Sequence, residues 1–168
     1  MPTPSEQSTI LVAQLAQQLQ ARNLMLATAE SCTGGMVAAA CTDLAGSSAW
    51  FERGFVTYSN DAKTELLGVD AALIAEHGAV SELVARAMAF GAVRHSKAQV
   101  SVAVTGVAGP TGGSAAKPVG TMWFGYSVSG YLSSEQMLFT GDRAAVRQAT
   151  LIHALAGVLV RVQALQKD

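Results

Sequence analysis

Residues Asn23-Leu-Met-Leu-Ala-Thr-Ala-Glu-Ser-Cys-Thr-Gly-Gly35 run from an apolar, strand-like segment into a polar joint, and Met36-Val-Ala-Ala-Ala-Cys-Thr-Asp-Leu44 continues it as a helix-like one. The pattern predicts a strand over 24–29 and a helix over 33–44. Ser31 sits at their junction, where a helix leaves backbone N–H groups unpaired and where its dipole is positive. That position suits a helix cap, and it also suits an oxygen on which negative charge develops during a reaction. Gly34 and Gly35 carry no side chain, so another molecule can come close to the backbone there.

Outward from this joint the chain alternates strands and helices. Leu11, Val12, Leu15, Leu19 and Leu24 mark an amphipathic first helix over 5–22. Residues 49–58 are rich in aromatic and β-branched side chains and read as a strand. Ser59 or Asn60 caps a short helix over 61–67 that Gly68 ends. A second short helical turn over 70–76 and a helix over 81–93, capped by Ser81, come next. A strand over 99–105 leads into the glycine-rich loop Gly106-Val-Ala-Gly-Pro-Thr-Gly-Gly-Ser-Ala-Ala-Lys-Pro118. Two strands, 119–128 and 131–139, meet at Ser129-Gly130 as a hairpin, and Asp142 caps a last helix over 143–165. We expect an α/β fold: a single-domain three-layer sandwich over 1–168, its mixed β-sheet carrying helices on both faces.

At 168 residues the chain can bury a sizeable core without a metal or disulfide staple. Half of its residues are hydrophobic and only 14% are charged, against an average of about 25%. So few charges leave little to dress a monomer, and we expect a homo-oligomer, a dimer first. Eleven basic against twelve acidic residues give a net charge of -1, which argues against a nucleic-acid footprint. Cys32 and Cys41 fall on one predicted helix, too poorly placed for a mutual disulfide. With no secretion signal at the N-terminus and no apolar run of about 20 residues, the expectation is a cytoplasmic protein that does not enter a membrane.

A nucleophilic serine needs a base. His77, His95 and His153 fall near helix ends or within a helix and lack the setting of a triad, and the G-x-S-x-G elbow is absent. Lys63 is the better base. It lies in the first turn of its helix, where the dipole disfavours a cation, and burial would lower its pKa further. The plain alternative is a surface lysine paired with Asp61 or Glu65. Tyr58, at a strand end, could relay a proton, donate to a carbonyl oxygen or stack on a ring. Cys32 beside Ser31 is read as a core residue.

The loop Thr105-Gly-Val-Ala-Gly-Pro-Thr-Gly-Gly113 also follows a strand. If that strand runs parallel to the one before Ser31, both segments emerge at the sheet edge where open α/β sheets bind ligands. Its amides could hold a phosphate or sugar, though it matches neither common phosphate-loop fingerprint and could be a flexible connection. Arg143 and Arg147 are neighbours at the start of the last helix, where a cation needs an anion close by. Asp142 could be that anion, and so could a bound phosphate. No histidine pair or acidic cluster stands at metal-ligand spacing.

Six blocks jointly resemble the CinA C-terminal domain family, from about residue 8 to 163: Thr28-Ala-Glu-Ser-Cys-Thr-Gly-Gly35, Gly54-Phe-Val-Thr-Tyr-Ser-Asn-Asp-Ala-Lys63, Gly78-Ala-Val-Ser81, Thr105 to Gly113, Lys117-Pro-Val-Gly-Thr121 and Gly141-Asp-Arg-x-x-x-Arg147. The family includes single-domain bacterial nicotinamide-nucleotide amidases. The resemblance implies hydrolysis of nicotinamide mononucleotide to nicotinic acid mononucleotide and ammonia, with no cofactor. Ser31 then matches the nucleophile and Lys63 its base, with Tyr58 beside them. Glu30, Cys32, Thr33, Gly34 and Gly35 would surround the substrate from one side. Thr105, Gly106, Gly109, Gly112 and Gly113 would line the nucleotide site, with Arg143 near the phosphate. A non-catalytic nucleotide sensor with the same pocket is the alternative.

Overall fold

The computed structural model describes residues 1–166, so the expected span of 1–168 ends in two residues outside those described. Strand β1 (Leu26–Glu30) is buried along its whole length because it lies between two parallel neighbours, β2 (Phe51–Val56) and β3 (Val100–Gly106). Strands β4 (Thr121–Val128) and β5 (Tyr131–Leu138) continue the sheet antiparallel, giving the order β2-β1-β3-β4-β5. Ser129 (φ 48°) and Gly130 (φ 88°) both take the left-handed conformation that a two-residue hairpin loop requires.

Alternation along the strands builds two cores. Leu26, Val100, Val102, Val104, Phe124 and Tyr126 face one side, where α1 (Pro4–Ala21), α2 (Met36–Thr42) and α6 (Arg143–Gln163) pack. Ala27, Ala29 and Ala103 face the other side, beneath α3 (Asn60–Leu67), α4 (Ala71–His77) and α5 (Glu82–Arg94). Small residues on that second face let α5 approach closely. At Gly125 a Cβ would stand 2.1 Å from the Ala85 carbonyl oxygen, so any side chain there forces helix and strand apart. Trp50, Leu15, Leu19 and Leu155 are fully buried on the first side, and each such aliphatic side chain contributes about 2 kcal/mol. This is the expected three-layer α/β sandwich.

Most element boundaries lie within two residues of the sequence reading, and two differences have a clear local cause. The helix predicted over 33–44 begins only at Met36, because Gly34 (φ 59°) and Gly35 (φ 110°) hold a left-handed turn that a helix cannot include. The strand predicted over 49–58 is Phe51–Val56, preceded by a 3₁₀ turn at Ser47–Ala49. Helix α6 is long and apolar enough by composition to cross a bilayer, contrary to the expectation that the chain holds no such run. Its Val146, Leu151, Leu155, Val158 and Val162 are instead buried against the sheet and α1.

Candidate active site

Because β1 and β3 are adjacent and parallel, with Glu30 level with Val104, the segments that follow them leave the same sheet edge. The Ser31 N–H donates to the Val104 carbonyl at 3.1 Å, which places Ser31 beside Thr105. After Ser31 the chain makes a tight turn closed by the Gly34 N–H on the Ser31 carbonyl at 3.0 Å. Ser31 is therefore not the cap of α2. Gly35 holds that position and offers no side chain.

The start of α2 is served by Glu30. Its buried carboxylate accepts from the Thr33 hydroxyl (2.6 Å) and from the Val37 and Ala38 N–H groups (2.9 and 3.1 Å). A carboxylate there satisfies orphan donors and favours the positive helix end. The helix-start donors expected to steady a reacting oxygen are thus already bonded. In the 31–35 turn, the Cys32, Thr33 and Gly35 N–H groups have no acceptor on another residue among those described.

Lys63 reaches the same place from α3. The Thr57 N–H bonds the Glu30 carbonyl at 2.8 Å, tying the end of β2 to β1, and the Ser59 hydroxyl caps α3 by accepting from the Ala62 N–H. One turn into the helix, Lys63 is 1% exposed, and its Nζ lies 2.9 Å from Ser31 Oγ, 2.8 Å from the Thr57 carbonyl and 3.1 Å from the Tyr58 carbonyl. Neither Asp61 nor Glu65 forms an ion pair with it among the described residues. Burial without a countercharge pulls the Lys63 pKa down to about 8. A neutral amine has two N–H bonds and one lone pair. Nζ donates to both carbonyls and to the Ser31 hydroxyl oxygen; once deprotonated, with its two N–H bonds on the carbonyls, its lone pair would face Ser31.

Tyr58 contributes its backbone here. Its side chain is exposed, while its carbonyl meets Lys63 and lies 3.4 Å from Ser31 Oγ. The Cys32 thiol packs 3.5 Å from Met122 Sδ, and burial pushes its pKa up to about 11, so it stays protonated and unreactive at neutral pH.

The glycine loop is pinned on three sides. The Thr105 hydroxyl donates to the Ala79 carbonyl at 2.9 Å, Lys117 Nζ to the His77 carbonyl at 2.7 Å, and the Arg143 guanidinium to the Gly109 carbonyl at 2.8 Å. Loop, turn and α3 enclose a cleft of about 370 Å³, within the range of small-molecule sites. Of the sequence-derived residues, Ser31, Cys32, Tyr58, Lys63 and Arg143 line it, as do Thr105, Gly106, Gly109, Gly112 and Gly113. Glu30, Thr33, Gly34 and Gly35 stand behind it and shape the turn.

The sequence reading passed over Asn60, Val80 and Thr111, which also line the cleft. The Gly78-Ala-Val-Ser81 block was the available signal for Val80; the lining role of Asn60 depends on how α3 packs. None of the three histidines lines the cleft: His153 bonds Glu135 at 2.8 Å, and His95 bonds the Gly91 carbonyl. Among the described residues no three His, Cys, Asp or Glu side chains converge to hold a metal ion.

Fold and cleft define an α/β protein with a small-molecule site at the carboxyl edge of a mixed sheet, in which a serine meets a buried lysine. The chain belongs to the CinA C-terminal domain family, whose model matches residues 8–162. It is 52% identical over 146 residues to "Nicotinamide-nucleotide amidohydrolase PncC" of Escherichia coli, covering 86% of this chain and 88% of that protein. The protein of the same name in Pseudomonas putida is 52% identical over 151 residues, covering 90% and 94%. A crystal structure of competence damage-inducible protein A (ComA) from Klebsiella pneumoniae is similar with a TM-score of 0.91 at 38% identity, covering 95% of this chain and 99% of that one.

Proposed function

We propose that this protein is a nicotinamide-nucleotide amidase that converts nicotinamide mononucleotide and water to nicotinic acid mononucleotide and ammonia. The observation that carries the reading is the buried Lys63 amine 2.9 Å from the Ser31 hydroxyl. The amidohydrolase name of relatives at 52% identity supports the substrate class.

In this mechanism neutral Lys63 takes the Ser31 proton as Oγ bonds to the carboxamide carbon. The C=O π pair moves onto oxygen, where turn N–H groups stabilise it by about 3 kcal/mol per donor. As C=O re-forms, the C–N bond breaks and the Lys63 ammonium gives its proton to the departing amine, which leaves as ammonia. Water then attacks the acyl-serine, its proton passing through Lys63, and the acid is released with Ser31 restored. The cationic pyridinium ring withdraws electrons from the carboxamide and favours attack. Contacts to the phosphate, with Arg143 the one arginine among the described residues that line the cleft, supply binding energy that orients the amide.

The test is ammonia release from nicotinamide mononucleotide by the pure protein and by Ser31→Ala. Turnover that vanishes in a folded Ser31→Ala supports the reading. Binding without turnover in the wild type would instead favour a nucleotide sensor.

A further inference from the structure

Arg147 is at the second turn of α6, yet both of its hydrogen bonds go to the turn after Ser31. Its Nε donates to the Cys32 carbonyl at 3.0 Å and its NH2 to the Thr33 carbonyl at 3.2 Å. It forms no ion pair with a carboxylate among the described residues. The cation expected to seek an anion has found two carbonyl dipoles, more than a hundred residues away along the chain.

Those two carbonyls decide how the turn is oriented. Ser31 to Gly34 is a four-residue turn closed by the Gly34 N–H on the Ser31 carbonyl. The peptide unit in the middle of such a turn, here Cys32–Thr33, is the one free to rotate between turn types. Its carbonyl is the one Arg147 Nε holds. In a planar trans peptide the N–H points opposite to the C=O, so fixing the Cys32 carbonyl fixes the direction of the Thr33 N–H. The closing bond to the Ser31 carbonyl fixes the Cys32 N–H in the same way. These are two of the turn's N–H groups without an acceptor on another residue, and the residue after a nucleophile is a common source of such a donor.

We infer that Arg147 is a positioning residue for the hydrolysis: its guanidinium fork locks the turn after Ser31 so that the N–H of Cys32, the turn residue at the cleft wall, is held ready for the oxyanion. This rests on the amidase reading above. Arg147 itself touches neither Ser31 nor Lys63. Its contribution is made in the transition state, through the turn amide it holds in place, and it leaves substrate binding unchanged.

The experiment compares Arg147→Ala and Arg147→Lys with the wild-type chain, each checked for cooperative thermal unfolding. Expected for Arg147→Ala is a fall in kcat of about 100-fold with KM within about threefold, partly reversed by added guanidinium ion. Arg147→Lys keeps the charge but cannot fork between two carbonyls, so it should lose about tenfold, and it decides the matter if the alanine variant does not fold. Unchanged kcat in a folded variant overturns the inference. So does a rise in KM alone, which would make Arg147 a substrate contact. If the wild type releases no ammonia, the amidase reading fails separately. The rate of Ser31 labelling by a fluorophosphonate then serves: a rate at least tenfold slower in Arg147→Ala supports the role, and equal rates overturn it.

Discussion

Lys63 Nζ stands 2.9 Å from Ser31 Oγ although the two residues lie on opposite sides of β2 in the chain, and the lysine is withdrawn from water with no carboxylate to pair it. Two backbone carbonyls, of Thr57 and Tyr58, direct its remaining hydrogen-bonding capacity. Under the proposed mechanism this amine accepts the Ser31 proton once it deprotonates, near pH 8, and several outcomes follow from it.

The first concerns pH. Only the neutral amine can accept the Ser31 proton, and burial holds the Lys63 pKa at about 8. kcat/KM for nicotinamide mononucleotide should therefore rise with pH and level off above about 8. Lys63→Arg, which cannot deprotonate in this range, should lose at least about 1,000-fold. A flat profile from pH 6 to 9 in the wild type would remove Lys63 from the role of base.

Stability carries the same signature with its own sign. The pKa of Lys63 falls from an ordinary 10.5 to about 8 on folding, so between those values the unfolded chain binds more protons and stability rises with pH. Below about 8 the native state bears the full cost of a buried ammonium, about 3 kcal/mol; above 10.5 the cost is gone. Lys63→Met removes that cost but leaves two buried carbonyls without a donor, an opposing effect of about 1 kcal/mol each. Urea denaturation should show the variant more stable than wild type at pH 7, by about 1 kcal/mol, with the advantage shrinking as pH rises from 8 to 10.

Glu30 offers a test of the turn's foundation. Its carboxylate receives three donors at the start of α2. Glu30→Gln places an NH2 group against at least one of them and removes the charge that favours the helix end. Thermal unfolding should register a loss of about 2 kcal/mol, and activity should fall with it because the same turn carries Ser31.

Arg143 separates binding from chemistry. Its guanidinium holds the Gly109 carbonyl at the cleft wall, and the residue is solvent-exposed. Arg143→Ala should raise KM for nicotinamide mononucleotide about tenfold, the loss of one charged hydrogen bond, with kcat little changed. Steady-state kinetics with nicotinamide riboside, which lacks the phosphate, should show no comparable rise.

The low charge content leads to an expectation of self-association, and Tyr131, Leu138, Phe90 and Val160 are among the exposed apolar side chains that an interface could cover. Light scattering at several concentrations checks it: a mass near two chains supports a dimer, and a mass of one chain at all concentrations rejects it.

Much of this architecture was legible along the chain. Ser81 and Asp142 cap their helices as expected, Ser59 caps α3, and Ser129-Gly130 turns the hairpin. Valines at every second position of β3 announced a strand, but alternation by itself points to one buried face, and the structure buries both. These features depend on neighbours within a few residues, so the local sequence is enough to set them. Ser31 and Lys63 were each visible as unusual residues in their own settings. Their hydrogen bond was not, because it depends on β1 lying between β2 and β3 in a particular register.

The tertiary structure alone decided which groups serve which. It gave the helix-start amides to Glu30, left turn amides without an acceptor among the described residues, and brought Arg147 from the last helix onto the Cys32 and Thr33 carbonyls. It also left the Tyr58 side chain exposed at the cleft while its carbonyl meets the lysine. Sequence periodicity determines which face of an element is apolar, but the burial that lowers a pKa and the distance that permits a proton transfer come from packing between segments far apart in the chain.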